Sequence, residues 1–233
     1  MNIGLLGFGV VGGGVWELAQ ENRALNVKKV LVRREAPSLG KAAVQDVEAI
    51  LRDTDIDTVV EVLGGLHPAY EWICRALAAG KDVVTANKAV ISAYYRELTA
   101  LARENGAALR CTAAVGGGIP WLVNLQRCRR VDTVTEVGGI MNGTTNFIMD
   151  AMARQGADFP AVLQRAQELG YAEADPSADI DGDDIRRKLT ISANIAFDAL
   201  LREEDIPAFG IRTVTGADVA DFRAHGFTCK LLA

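Results

Sequence analysis

Residues 1–21 read MNIGLLGFGVVGGGVWELAQE, which is a short apolar run, a glycine-rich turn and then an amphipathic stretch. The turn, Gly7-Phe8-Gly9-Val10-Val11-Gly12, has the G-x-G-x-x-G spacing that is typical of a dinucleotide-binding loop between a strand and a helix. Gly7 allows the tight turn, Gly9 lets the backbone approach a pyrophosphate, and Gly12 lets helix and strand pack closely. Free N–H groups at the helix start suit phosphate oxygens. We therefore predict dinucleotide binding by residues 7–12; an ordinary glycine-rich turn is the alternative.

The same alternation of short apolar runs and amphipathic stretches continues to about residue 125. Predicted strands are Ile3–Leu6, Val27–Val32, Thr58–Val62, Asp82–Thr85 and Ala108–Thr112, and predicted helices are Val10–Glu21, Val44–Arg52, Pro68–Ala79 and Tyr94–Asn105. Strands that alternate with helices of this length indicate βαβ units and a parallel sheet. We expect an α/β protein in which residues 1–125 form a Rossmann-type, doubly wound NAD(P)-binding domain.

The pattern changes after Gly116-Gly117-Gly118. Predicted strands are Val131–Ile140 and Phe227–Leu232, and predicted helices begin at Pro120 and cover Thr144–Arg154, Phe159–Leu169 and Asp184–Leu201. This mixture predicts that residues 126–233 form a second domain, of α+β type, for substrate binding, catalysis and oligomerisation. Its last predicted strand runs almost to the final residue, so we expect this domain to be incomplete, that is, truncated at its C-terminus.

Composition excludes several classes of protein. The chain has 25 basic and 30 acidic residues, a net charge of −5, and so lacks the basic surface expected for nucleic-acid binding. Without a run of eighteen apolar residues, no transmembrane helix is expected. The four cysteines form neither a CxxC pair nor a zinc pattern, which favours free thiols in a reducing cytoplasm. A small-molecule partner in the cytoplasm is the expectation, with no nucleic acid and no membrane.

The end of the second predicted strand indicates which dinucleotide binds. NAD enzymes usually place an acidic residue there, whereas this chain has Arg33-Arg34. Guanidinium groups suit a 2′-phosphate, so the pair favours NADP. NAD stays as the alternative because Glu35 follows directly, and two solvated arginines would also explain the pattern.

A lysine follows the strand Asp82–Thr85 in the sequence Thr85-Ala86-Asn87-Lys88. Ligands of open α/β sheets bind beyond the carboxyl ends of the strands, which is where Lys88 falls. A cation at a helix start is disfavoured by the helix dipole, so we interpret Lys88 as functional rather than as an ordinary surface lysine.

An acidic segment, residues 170–183, precedes a helix that carries Asp184 and Lys188 one turn apart on the same face. An EF-hand is excluded because Lys188 would occupy the position of the bidentate glutamate. Carboxylates around one lysine could bind the ammonium group of an amino acid, and the lysine could handle the proton of a hydroxyl group. The alternative is an acidic helix start that is stabilised by the helix dipole alone.

Taken together, these motifs resemble the homoserine dehydrogenase family. The matching stretches run in order along nearly the whole chain and are Gly7–Gly12, Thr85–Ala89, Val115–Pro120, Gly139–Asn146 and Gly170–Leu189. The resemblance implies NAD(P)-dependent interconversion of L-homoserine and L-aspartate 4-semialdehyde, on the route to threonine and methionine, by a homodimer or homotetramer. Two alternatives stay open: another amino-acid or semialdehyde oxidoreductase of this fold, or a non-catalytic, truncated NADP-binding protein.

The resemblance also implies roles for individual residues. Lys188 and Lys88 correspond to catalytic positions, and Lys88 also adjoins the cofactor. Substrate-binding positions are Glu173, Asp179, Asp184, Asn142, Gly143 and Thr144. Family members bind Na⁺ or another monovalent cation through backbone carbonyls that correspond to Val115, Gly117 and Ile119. Thr112 stands where the family often has glutamate.

Overall fold

The computed structural model describes every residue from Met1 to Ala233. The chain divides into two compact units, Met1–Asn124 and Leu125–Ala233. Each unit has its own fold and is described by itself. No helix in the chain is both long enough and apolar enough to cross a lipid bilayer.

The first unit is built on a six-stranded parallel sheet. Its strands are β1 (Asn2–Leu6), β2 (Asn26–Leu31), β3 (Ala43–Val44), β4 (Thr58–Glu61), β5 (Asp82–Thr85) and β6 (Leu109–Arg110). They lie in the order β3-β2-β1-β4-β5-β6, and every neighbouring pair is parallel. This is the doubly wound order, in which the direction of winding reverses between β1 and β4. The predicted Rossmann-type α/β fold is confirmed.

Helices connect the successive strands of this unit. These helices are α1 (Val10–Glu21), α2 (Glu48–Leu51), α3 (Ala69–Ala78) and α4 (Lys88–Glu104). A further helix, α5 (Trp121–Cys128), includes the boundary between the two units. Side chains such as Leu5, Val30, Val59 and Val83 are completely buried. Full burial of such a side chain stabilises the fold by about 1.5–3 kcal/mol, so strands made of these residues are held from both faces.

Two boundaries differ from the predicted ones for identifiable reasons. The predicted helix Val44–Arg52 shortens to α2 because Ala43-Val44 pair with β2 as an edge strand. The helix predicted from Tyr94 begins six residues earlier, at Lys88. Asn87 caps it there, since its side-chain oxygen accepts the N–H of Val90 at 3.3 Å.

The regular elements of the second unit are helices. They are α6 (Gly143–Gln155), α7 (Phe159–Glu168), α8 (Ser177–Ile180), α9 (Asp183–Phe197) and α10 (Gly216–Ala224). Buried residues of α6, α7 and α8, such as Ile148, Met152, Val162 and Ile180, pack in one apolar cluster. The helix α10 is not among the predicted helices, although Thr215 and Asp218 form a capping box at its start.

The two strands predicted for this unit, Val131–Ile140 and Phe227–Leu232, are wrong as regular strands. The two segments meet at a single pair of residues, where Gly139 and Ala233 exchange backbone hydrogen bonds of 2.8 and 3.0 Å. An alternating side-chain pattern favours extended backbone, but a strand also needs a neighbour that pairs along its length. The second unit is therefore helical in its regular elements, whereas the sequence predicts an α+β domain.

Candidate active site

The glycine-rich loop joins β1 to α1, and its three motif glycines are required for different reasons. Gly7 has a φ of +106°, and a Cβ there would lie 3.1 Å from the carbonyl oxygen of Val62. A Cβ on Gly12 would lie 2.3 Å from the carbonyl oxygen of Gly7, so only glycine lets α1 approach the turn this closely. A Cβ on Gly9 would meet nothing within 4 Å. The space beside Gly9 is therefore open to a ligand.

The start of α1 is also unoccupied by side chains of the protein. Gly9 is the N-cap and offers no side-chain cap, and the first turn contains no acidic residue. Val10, the first residue of the helix, is 95% exposed, so the start of α1 faces solvent. Free N–H groups, a helix dipole and room for close approach together fit a pyrophosphate.

Arg33 and Arg34 follow the end of β2 and are both exposed, as is Glu35. β2 lies on one side of β1 in the sheet, and β4 and β5 lie on the other. The arginines are therefore placed at the carboxyl edge of the sheet, on the β2 side of the glycine-rich loop. Nothing in this arrangement distinguishes a 2′-phosphate site from two solvated side chains, and NADP preference stays a prediction.

A buried hydrogen-bond network lies at the carboxyl ends of β4 and β5. Glu61, the last residue of β4, is completely buried and accepts hydrogen bonds from the Thr85 hydroxyl at 2.5 Å and the Leu63 N–H at 2.8 Å. The Asn87 amide donates to Glu61 at 3.3 Å and to the Gly65 carbonyl at 2.7 Å. Glu61 is not among the residues predicted from the sequence, although a carboxylate directly after Thr58-Val59-Val60, in a strand predicted to be buried, is an unusual feature.

Lys88 is the first residue of α4 and is half-buried. It therefore lies next to this network, at the carboxyl edge of the sheet as predicted from its position after β5. Its catalytic and cofactor-binding roles stay predictions.

The segment proposed for a monovalent cation follows a short 3-10 helix. Val115 is buried, and Gly117 has a φ of +56°. The Ile119 carbonyl already accepts the Trp121 N–H at 2.8 Å, and the Ile119 side chain is 64% exposed. No group of three or more His, Cys, Asp or Glu side chains is arranged for a metal. The backbone cation site at Val115, Gly117 and Ile119 stays a prediction.

In the second unit, Lys188 and Asp184 lie one turn apart on α9, as their spacing predicts. The Lys188 ammonium Nζ is 2.7 Å from Asp184 Oδ2 and donates to the Met141 carbonyl at 2.6 Å. The side chains of Lys188 and Asp184 are only 16% and 8% exposed. Because both side chains are largely removed from water, the attraction between their charges is stronger than it would be in solvent. The Met141 carbonyl was missed because a backbone acceptor leaves no signal in the sequence.

Asn142 connects this ion pair to the acidic segment. Its amide Nδ2 donates to Asp179 at 2.7 Å and to Asp184 at 2.9 Å. Its oxygen accepts the Thr145 N–H at 2.8 Å and so caps α6. One buried side chain therefore orients two carboxylates, which form a mixed cluster with the ammonium of Lys188. Such a cluster can bind a cationic amino group and can also supply a proton.

Three other predicted substrate residues have no side-chain hydrogen bond to this cluster. Glu173 is exposed, and its backbone carbonyl accepts a hydrogen bond from Gln167 at 3.0 Å. Gly143 begins α6 and is exposed. The Thr144 hydroxyl donates to the Tyr171 carbonyl at 2.7 Å. The structure thus gathers Asn142, Asp179, Asp184 and Lys188, whereas the substrate roles of the other three residues stay predictions.

Comparison with known proteins covers both units. The model of the homoserine dehydrogenase NAD-binding domain matches residues 7–112, and the homoserine dehydrogenase model matches residues 120–233. Among curated relatives, homoserine dehydrogenase of Synechocystis is 44% identical over 245 residues and that of Bacillus subtilis is 37% identical over 246 residues. Both alignments include 100% of this chain and 57% of the relative, so the chain spans somewhat over half their length.

Solved structures give the same result. A homoserine dehydrogenase from Thiobacillus denitrificans superposes with a TM-score of 0.93 at 39% identity, over 100% of this chain and 57% of the other. A protein of Archaeoglobus fulgidus assigned to the same enzyme gives a TM-score of 0.88 at 32% identity, and the chain covers 79% of it. A hyperthermophilic archaeal homoserine dehydrogenase in complex with NADPH gives a TM-score of 0.79 at 27% identity, over 91% of this chain and 74% of the other.

Proposed function

Because the chain belongs to the homoserine dehydrogenase family, we propose that it catalyses the NAD(P)-dependent interconversion of L-homoserine and L-aspartate 4-semialdehyde. This reaction serves the synthesis of threonine and methionine. The observation that carries the proposal is the cluster in which Asn142 orients Asp179 and Asp184 while Lys188 pairs with Asp184. A substrate that carries both an ammonium group and an oxygen in need of a proton is the chemical complement of that cluster.

The first unit is proposed to bind the cofactor. The loop from Gly7 to Gly12 would hold the pyrophosphate, since it combines free helix N–H groups with open space at Gly9. Arg33 and Arg34 would bind a 2′-phosphate, which favours NADP over NAD. The chemistry that the cofactor supplies when bound is hydride exchange with the substrate carbon.

The second unit is proposed to bind the substrate. The Asp179 and Asp184 carboxylates would attract its ammonium group. Asn142 holds the two carboxylates in a fixed position before the substrate binds, which lowers the conformational entropy that the two side chains lose on binding. Gly143, Thr144 and Glu173 would complete the site, as the resemblance implies.

Lys188 is proposed as the proton donor to the substrate oxygen in the reducing direction. An ammonium group has three N–H bonds, and the hydrogen bonds to Asp184 and Met141 use two of them. The third N–H can be directed to the oxygen that gains charge. General acid catalysis of this kind typically contributes a factor of about 10²–10⁴ to the rate. Lys88 would assist through its charge.

Two further features of the family are proposed for this chain on the resemblance alone. The first is a monovalent cation on the carbonyls of Val115, Gly117 and Ile119. The second is assembly as a homodimer or homotetramer.

A steady-state assay of the purified chain tests the proposal. Absorbance of the reduced nicotinamide is followed with homoserine and either NADP or NAD, and then with other amino alcohols. We expect turnover of homoserine with a preference for NADP. Binding of NADP without turnover of any amino alcohol would instead favour a non-catalytic nucleotide-binding protein, and a preference for another amino alcohol would favour a different oxidoreductase of this fold.

A further inference from the structure

Glu61 is a buried acid that the proposed chemistry does not use. It is 0% exposed, and its carboxylate accepts three hydrogen bonds, from Leu63 N–H, the Thr85 hydroxyl and the Asn87 amide. All three donors are neutral. Burying a carboxylate without a cationic partner is costly even when its oxygens are hydrogen-bonded. An apolar residue would suit the sheet better, since Val59 and Val60 precede it in the same strand. The position of Glu61 therefore calls for an explanation other than packing.

The hydrogen bonds of Glu61 join two turns that are distant in sequence. The Leu63 N–H belongs to the turn after β4, and Thr85 and Asn87 belong to the turn after β5. Asn87 strengthens the link, because its amide also donates to Gly65 in the first turn and its oxygen caps α4 at Val90. One carboxylate thus determines the path of residues 62–65 and the place at which α4 begins.

The first of these turns borders the glycine-rich loop. β4 pairs directly with β1, and a Cβ on Gly7 would lie 3.1 Å from the Val62 carbonyl oxygen. The crevice of a doubly wound sheet opens at the carboxyl ends of the strands where the order reverses, which here is between β1 and β4. Arg33 and Arg34 follow β2, on the other side of β1, so the two halves of a bound dinucleotide would face different turns.

We propose that Glu61 is a positioning residue for the nicotinamide half of the cofactor. It acts through residues 62–65 and through the start of α4, which it holds at the carboxyl edge of β4 and β5. The adenosine half, on the side of Arg33 and Arg34, does not depend on it. This inference rests on the proposed function, because it requires that the chain bind a nicotinamide dinucleotide.

Calorimetric binding to Glu61→Gln tests the proposal without measuring turnover. The two ligands are NADP⁺ and adenosine 2′,5′-bisphosphate, which contains only the adenosine half. We expect the Kd of NADP⁺ to rise about tenfold, the equivalent of one or two lost hydrogen bonds, and the Kd of the bisphosphate to stay the same. Thr58→Val is the matched control: Thr58 is a buried threonine at the opposite end of β4, where its hydroxyl bonds only Asp57, so both Kd values should be unchanged.

A second variant keeps the test decisive if Glu61→Gln does not fold. Thr85→Val removes one of the three hydrogen bonds to Glu61, and the acceptor of the Asn87 N–H, at nearly constant volume. The carboxylate itself remains, and we expect a smaller change, about threefold, again for NADP⁺ alone. Equal weakening of both ligands in either variant, or no weakening of either, would overturn the role of Glu61 while leaving the proposed function intact. Failure of the wild-type chain to bind either ligand would contradict the proposed function, and the role of Glu61 would fall with it.

Discussion

Lys188 and Asn142 donate to the same atom, Oδ2 of Asp184, at 2.7 and 2.9 Å. The carboxylate of Asp184 is thereby shared between an ammonium group from its own helix and an amide group that caps α6. Because the amide of Asn142 also binds Asp179, motion of any one of these side chains disturbs the other three. The four side chains are therefore coupled. Their separate roles can be determined only by substitutions that remove one charge or one hydrogen bond at a time.

Lys188→Ala should abolish most of the activity without affecting the cofactor. The variant lacks the proposed proton donor, and we expect kcat to fall by about 10²–10⁴ while the Kd of NADP⁺ stays unchanged. Arg165→Ala, which removes an exposed cation paired with Glu168 on α7, is the control and should retain full turnover. A Lys188→Ala variant with wild-type kcat would remove Lys188 from the chemistry.

Two substitutions of Asn142 should separate its capping role from its role in the cluster. Asn142→Ala loses the cap of α6, which costs about 1 kcal/mol, and leaves Asp179 and Asp184 without their shared donor. Asn142→Asp keeps a good N-cap but places a third carboxylate beside the other two, where like charges repel. We therefore expect both variants to lose homoserine binding, measured as a rise in KM.

The thermal stabilities of the same two variants provide the complementary measurement. If α6 capping were the only role of Asn142, Asn142→Asp would keep the wild-type KM and Tm. A raised KM in Asn142→Asp together with a wild-type Tm would show that Asn142 acts in the cluster as well as in the cap.

Gly12→Ala and Gly9→Ala should fail in different ways. A methyl group on Gly12 would lie 2.3 Å from the Gly7 carbonyl oxygen, so α1 must move away from the turn, and overpacking of this kind costs about 1–3 kcal/mol. A methyl group on Gly9 meets no protein atom within 4 Å. Gly12→Ala should therefore lower Tm, whereas Gly9→Ala should keep Tm and weaken NADP⁺ binding. Wild-type NADP⁺ affinity in Gly9→Ala would contradict the assignment of the pyrophosphate to this loop.

Arg33→Ala and Arg34→Ala test the preference for NADP. A charged hydrogen bond to a 2′-phosphate is worth about 1.5–3 kcal/mol, so removing the arginine that makes it should raise the KM for NADP by about tenfold or more. The KM for NAD, which lacks that phosphate, should not change. Lys41→Ala, which removes another exposed cation of the same unit, is the control. Equal changes in the KM for NADP and the KM for NAD would show that the arginines do not bind the 2′-phosphate.

The cysteines should differ in reactivity in a way that burial decides. Desolvation raises the pKa of the Cys111 thiol to about 12, while Cys128 is exposed. Since only the thiolate reacts, a thiol with a raised pKa is almost entirely unreactive at pH 8. Iodoacetamide at pH 8 should therefore alkylate Cys128 and spare Cys111 until denaturant is added, as peptide mass spectrometry can determine. Labelling of Cys111 in the folded protein at the rate of Cys128 would contradict its burial.

Local patterns in the sequence predict much of the fold of the first unit. The order of apolar runs predicts β1, β4 and β5 within one or two residues, since each is a short buried strand bounded by turn residues, and the glycine spacing predicts the loop that joins β1 to α1. The prediction of strands at Val131–Ile140 and Phe227–Leu232 fails because strand formation depends on a pairing partner, and these segments pair only at Gly139 and Ala233. The helix α10 was missed because its apolar residues do not follow one helix face.

The features of the candidate site also separate into those that depend on neighbours in the sequence and those that depend on tertiary contacts. The sequence by itself determined that Asp184 and Lys188 share a helix face and that Gly12 must lack a side chain, because both depend on neighbours within one or two turns. Only the tertiary structure decided that Asn142 bonds Asp179 and Asp184, residues 37 and 42 positions away, and that Glu61 joins the turns after β4 and β5. Hydrogen bonds between distant segments form where burial excludes water as a competing partner, and burial is a property of the packed chain.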